Sequence, residues 1–120
     1  MAYTFKHDIV ERTVEYSIAV IQVYHKIKRS DDGRIIGRQL LKSATSFGAN
    51  MREAQGAQSK ADFITKISIA HKEAYETSYW FKILQKSQLI KEEYLDEVID
   101  ETTQVLKILS SILISSKGQK

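Results

Sequence analysis

The chain has 120 residues, no cysteine, no proline, five glycines and a formal net charge of +3. That length suits one domain, which can bury about two-thirds of its unfolded surface without metals or cross-links. The lack of cysteine excludes disulfides, thiolate nucleophiles and thiolate metal sites. So few turn residues disfavour sandwiches and barrels and point to an all-α class. The N-terminal MAYTFKHDIVERTVEY is charged and amphipathic, without the apolar core of a signal peptide. The longest nearly apolar run, Val105 to Ile114, is too short to span a bilayer. A soluble, cytoplasmic protein with no membrane partner is expected.

The charge is unevenly placed. Residues 34–86 carry nine basic against four acidic side chains, whereas the stretch from Ser87 onward carries four against six. A basic middle and an acidic last helix give a one-sided field that favours a polyanion; the competing reading is ordinary solvated helix faces.

In chain order, the first helix is expected over about Asp8 to Lys28. Ile9, Thr13, Tyr16, Val20, Val23 and Ile27 form one stripe, and Val10, Val14, Ile18 and Ile21 a second beside it. That arc is wider than one bundle seam requires, so broad burial, possible against another subunit, is expected. Ser30-Asp31-Asp32-Gly33 reads as a loop whose acidic residues complement the start of helix 2. Helix 2 is placed at about Arg34 to Gly56, with Gly37 either tolerated inside it or marking a later start.

Helix 2 carries three faces at about 100° per residue. Ile36, Leu40, Ala44, Phe47, Met51 and Ala54 form the core face. Opposite them Arg34, Arg38, Lys42 and Arg52 fall within an arc of about 80°. Between runs a polar seam of Gln39, Ser43, Ser46, Asn50 and Glu53. Asn50 and Glu53 lie near the core edge and need partners. Arg52, Glu73 and Glu76 are the candidates, and a structural tie is favoured over ligand binding.

Gly56 ends helix 2, and Ser59-Lys60-Ala61-Asp62 supplies an S-x-x-D cap for helix 3, placed at Lys60 to Lys86. So short a connector makes helices 2 and 3 antiparallel. Phe63, Ile67, Ala70, Ala74, Phe81 and Leu84 form the core stripe of helix 3. Ile64, Tyr75 and Tyr79 point nearly the other way, and Ile69, Trp80 and Ile83 take a third sector. A helix apolar on most sides is buried on most sides, against either another subunit or a ligand; self-association is favoured. Helix 4 is expected over about Lys91 to Ser116 on a seam of Leu95, Val98, Thr102, Val105, Leu109, Ile112 and Ser116, followed by a frayed tail. The sum is an antiparallel up-down-up-down four-helix bundle spanning 1–120 as one domain.

No catalytic signature appears. A di-iron bundle needs E-x-x-H pairs, but Gln22 and Ser68 stand three positions before His25 and His71. Glu73 and Glu76 near His71 read as solvated or structural rather than as ligands. No phosphate-binding glycine loop, serine elbow or zinc deaminase pattern is present. The chain is expected to be no enzyme and to need no metal or cofactor.

The run Q39-L-L-K-S-A-T-S-F-G-A-N50-M-R-E53-A, followed by S59-K-A-D-F63 and K72-E-A-Y-E-T77-S-Y-W80, resembles the 23S rRNA intervening-sequence protein family. That family is also called the four-helix-bundle protein family, and it includes the accessory protein of diversity-generating retroelements. The resemblance is strongest from Gln39 to Trp80, and the S-x-x-x-N-x-x-E pattern at Ser46, Asn50 and Glu53 is fairly specific in its helical context. Lys42 stands where arginine is common, and Ala54 where many relatives have glycine. The resemblance implies a small bacterial protein, a ring-shaped homopentamer, and a role with RNA or a nucleic-acid enzyme.

Two function classes follow. In one, Arg34, Arg38, Lys42 and Arg52, with Lys60 and Lys66 nearby, contact phosphates with little sequence preference. In the other, the protein is an interaction scaffold or accessory subunit that docks a partner through its apolar sectors. Ile69, Tyr75, Tyr79 and Trp80, with the second stripe of helix 1, are the expected subunit contact.

Overall fold

Four helices account for most of residues 8–118, the part of the chain that this computed structural model describes. They are α1 (Asp8–Ile27), α2 (Asp31–Gln55), α3 (Lys60–Ser87) and α4 (Asp96–Lys117), with a short 3₁₀ turn at Glu92–Tyr94 before α4. Among the described residues there is no strand. The N-terminal stretch through His7, and Gln119 and Lys120 of the expected frayed tail, lie outside the described residues.

Serine caps set two of the starts. Ser30 Oγ accepts from the Gly33 amide at 3.0 Å, and Ser59 Oγ accepts from the Asp62 amide at 3.0 Å. Asp62 Oδ2 in turn accepts from the Gln58 amide at 3.2 Å. Each serine bond satisfies a backbone donor that the first helical turn leaves without a partner, and the Asp62 bond ties down the connector before the cap. At the far end of α3, Gln88 takes a left-handed conformation with φ 61°, which stops the helix before α4.

Helix 2 begins at Asp31, earlier than Arg34, so Ser30 is the cap and Asp31 to Gly33 are helical rather than loop. The two glycines explain the difference. Gly33 and Gly37 are buried, and a Cβ at Gly33 would run into the Ile27 carbonyl, at Gly37 into the Tyr24 ring. They are contact points at which α1 and α2 approach closely, not helix breakers. Helix 4 differs the other way: the 3₁₀ turn occupies its expected first residues, so its α-helical part starts at Asp96 and runs on through Lys117.

Contacts between helices fix their directions. Tyr24 lies against Gly37 and Thr13 against Gly48. Glu53 meets Lys66, and Ser43 meets Thr77. His71 meets Ser110, while Phe81 shares a groove with Thr102. Tyr16 meets Thr102, and Lys26 meets Tyr94. In each pair of helices one number climbs as the other falls, so neighbours run antiparallel and α1 and α3 stand diagonally across the bundle.

The core is the stripe set expected from the period. Leu40, Phe47, Met51, Phe63, Ile67, Phe81, Leu84, Leu95 and Leu109 are all buried. Ile36 is only half-buried, because the Gly33–Gly37 side of α2 turns toward α1 instead. Two hydroxyl pairs cross the core. Thr102 donates to the Val98 carbonyl at 2.7 Å, so its one proton is used and Tyr16 donates to Thr102 at 2.5 Å. The hydroxyls of Ser43 and Thr77 lie 2.7 Å apart, and each also reaches a backbone carbonyl of its own helix, Leu40 at 3.2 Å and Glu73 at 2.9 Å. No buried side-chain polar atom among the described residues lacks a partner. On the rim Arg12 forms a two-pronged bond to Glu101, at 3.0 and 2.6 Å, tying α1 to α4.

Candidate nucleic-acid interface

A helix rises 1.5 Å per residue, so Arg38, Lys42 and Arg52 lie on α2 over about 21 Å of its length. All three are exposed. Among the described residues no ion pair engages them. Arg38 and Lys42 sit one turn apart, about 6 Å along the axis. Arg52 is the far end of the stripe, separated from Lys42 by the exposed, uncharged Thr45 and Ala49.

The other three cations behave differently. Arg34 is paired with Asp31 and donates to the Lys28 carbonyl at 3.2 Å, which holds it against the α1–α2 turn. Lys66, on α3, is bound to Glu53 at 2.8 Å. The hydrogen bond to that carboxylate, and then its charge, raises the Lys66 ammonium above its ordinary range. Lys60 is half-buried at the start of α3. The six positions therefore resolve into an open stripe of three, two cations held by carboxylates, and the half-buried Lys60.

The polar seam also divides. Ser43 is fully buried and bonded to Thr77. Asn50 bonds locally, donating to the Ser46 carbonyl at 2.8 Å. Glu53 is exposed and pairs with Lys66 rather than with any of Arg52, Glu73 or Glu76, because α3 runs back past it. Gln39 is exposed and stands outside the seam's contacts.

Two apolar surfaces remain uncovered. On α1, Val14, Ile18 and Ile21 are exposed, whereas Val10 of the same stripe is buried. Val14 and Ile18 border a groove of about 430 Å³ whose other wall is Thr45, Gly48 and Ala49 of α2, with Arg52 at its margin. Position-by-position reading of the sequence misses this groove; its signal is the small-residue run of α2 opposite the second stripe of α1. On α3, Ile69, Tyr75 and Tyr79 are exposed and Trp80 is half-buried. Trp80 Nε1 donates to Glu76 at 3.1 Å, and its ring meets Tyr79 edge-on at 5.1 Å.

His71 is half-buried between α3 and α4, with Nε2 3.0 Å from Ser110 Oγ and its ring edge-on to Tyr75. Burial lowers its imidazole below the usual value. Among the described residues no three His, Asp or Glu side chains converge as a metal set. Nor is any described helix long and apolar enough to cross a membrane.

Comparison with known proteins agrees with this architecture. A crystal structure at 1.70 Å resolution, of a protein with unknown function from the S23 ribosomal protein family of Bacteroides thetaiotaomicron VPI-5482, superposes with a TM-score of 0.82. The two are 36% identical, over 88% of this chain and 97% of that one. No curated protein matches the chain. Residues 6–111 match the 23S rRNA-intervening sequence protein family, to which this chain belongs.

Proposed function

We propose that the chain is a non-enzymatic, self-associating helical protein that binds RNA through the exposed cations of α2. The observation that carries the reading is the shared outward face of Arg38, Lys42 and Arg52, free of ion pairs among the described residues. Three phosphate contacts per subunit give weak binding, and symmetry multiplies it when one strand reaches several copies. The uncovered apolar surfaces support self-association. They differ from each other and lie on diagonal helices, so α1 of one copy and α3 of the next would meet head to tail. A heterologous contact whose rotation closes gives a ring rather than an open filament, and the family resemblance supplies the ring and five as its copy number.

The scaffold reading rests on the α1–α2 groove, which a partner protein could occupy instead. An RNA titration at several salt concentrations separates the two. Arg38→Gln with Lys42→Gln should weaken binding and lower the salt slope by about 0.7–0.9 per lost phosphate contact. If wild type ignores RNA at low salt, or the double variant binds identically, the stripe is only a solvated surface and the scaffold reading replaces it.

A further inference from the structure

A second basic site lies where the C-terminal end of α1 faces the connection between α3 and α4. A cleft of about 500 Å³ opens there, lined by Lys26, Arg29 and Lys91, the ring of Tyr94, and the aliphatic Leu89 and Ile90. Among the described residues that line it none is acidic, although Glu92 and Glu93 are close in sequence. Lys26 Nζ stands 4.0 Å above the centroid of the Tyr94 ring, so an ammonium and an aromatic face already share the site. Tyr94 is 47% exposed despite that contact.

The simplest account of these cations is that they complement the negative end of α1, worth about half an elementary charge. That account suits Lys26, in the last turn of α1. It does not cover Lys91, which comes from the far side of the cleft, beyond α3. Three cations line the cleft against about half a negative charge from the helix end, and Glu92 and Glu93 lie outside its lining, so the lining itself favours anions. Its volume lies within the range of small-molecule sites. An apolar floor, one aromatic face and flanking cations are what a base joined to a phosphate requires.

We propose that this cleft binds a nucleoside 5′-phosphate unit, with the base against Tyr94 and the phosphate between Arg29 and Lys91. The unit is either a free mononucleotide or the end of a single strand. The site is separate from the α2 stripe, so it stands or falls independently of the RNA reading above.

Equilibrium dialysis of the full chain against adenosine 5′-monophosphate, ribose 5-phosphate and adenosine tests it. Wild type should take up the nucleotide saturably at millimolar concentration or below. Arg29→Gln with Lys91→Gln should weaken uptake about tenfold or more, since two charge-assisted contacts are lost. Tyr94→Leu should weaken the nucleotide about fivefold or more and leave ribose 5-phosphate unchanged, because only the base loses its stacking face. A merely structural Tyr94 would lower both alike. Displacement of bound nucleotide by a 5′-phosphorylated adenosine oligomer, and not by its 5′-hydroxyl counterpart, assigns the strand end; displacement by neither assigns the free nucleotide. Arg38→Gln with Lys42→Gln should leave nucleotide uptake untouched. No saturable uptake, equal loss of both phosphates in Tyr94→Leu, or full uptake by the Arg29/Lys91 variant overturns the proposal, whatever the RNA titration shows. All three side chains are exposed, so far-ultraviolet circular dichroism should show unchanged helicity in every variant.

Discussion

Gly37→Ala sets two effects of opposite sign against each other. In an exposed helix interior the change should stabilise by up to about 1 kcal/mol, because glycine loses more backbone freedom on folding. Here the new methyl would collide with the Tyr24 ring and stand 3.3 Å from Ile27 Cδ1, so α1 or Tyr24 must give way. Overpacking of that kind costs about 1–3 kcal/mol. The collision wins, and net destabilisation of about 1 kcal/mol is expected. Tyr24 is half-buried and its ring is the first obstacle, so Tyr24→Ala should relieve most of the clash. On that background Gly37→Ala becomes neutral or stabilising, with a coupling energy of about 1 kcal/mol or more. Urea unfolding of the four proteins, followed by circular dichroism at one fixed protomer concentration, measures the cycle. Stabilisation by Gly37→Ala alone, or additivity of the two changes, would refute the claim that this glycine exists for close helix approach.

Three further outcomes are expected. Burial pushes the Tyr16 phenol well above its ordinary value of 10.0, so the unfolded chain releases that proton first as pH rises. Its contribution is intact below about pH 10 and falls by about 1.4 kcal/mol per pH unit above it; Tyr16→Phe should flatten this alkaline limb relative to wild type in thermal melts. His71 has the opposite sign: its lowered value makes the unfolded chain take the proton first, so its contribution is present above about pH 6.5 and lost on acidification. Melts of His71→Gln between pH 7 and 5 should show a shallower fall than wild type. If the proposed self-association holds, Tyr79→Glu should shift the mass in light scattering toward the 13.8 kDa protomer, and an unchanged mass would remove Tyr79 from the proposed subunit contact.

The 100° period determined most of what is regular here. It placed the core stripes of α2 and α3 and put Arg38, Lys42 and Arg52 on one outward face, because side-chain direction along a helix follows from residue number alone. The Ser59 cap was legible for the same reason: it is a contact between residues three apart. What spans two helices was not. Gly33 and Gly37 looked like interruptions, and only the nearness of Ile27 and Tyr24 shows that they let α1 and α2 close together. Lys66 looked like a free cation until α3 folded back beside Glu53. The join of Ser43 to Thr77 and the meeting of Lys26 with Tyr94 depend on register between distant segments, which no local spacing encodes. Helical period sets which way a residue faces; tertiary packing alone decides what it faces, and so which charges and rings remain available to a ligand.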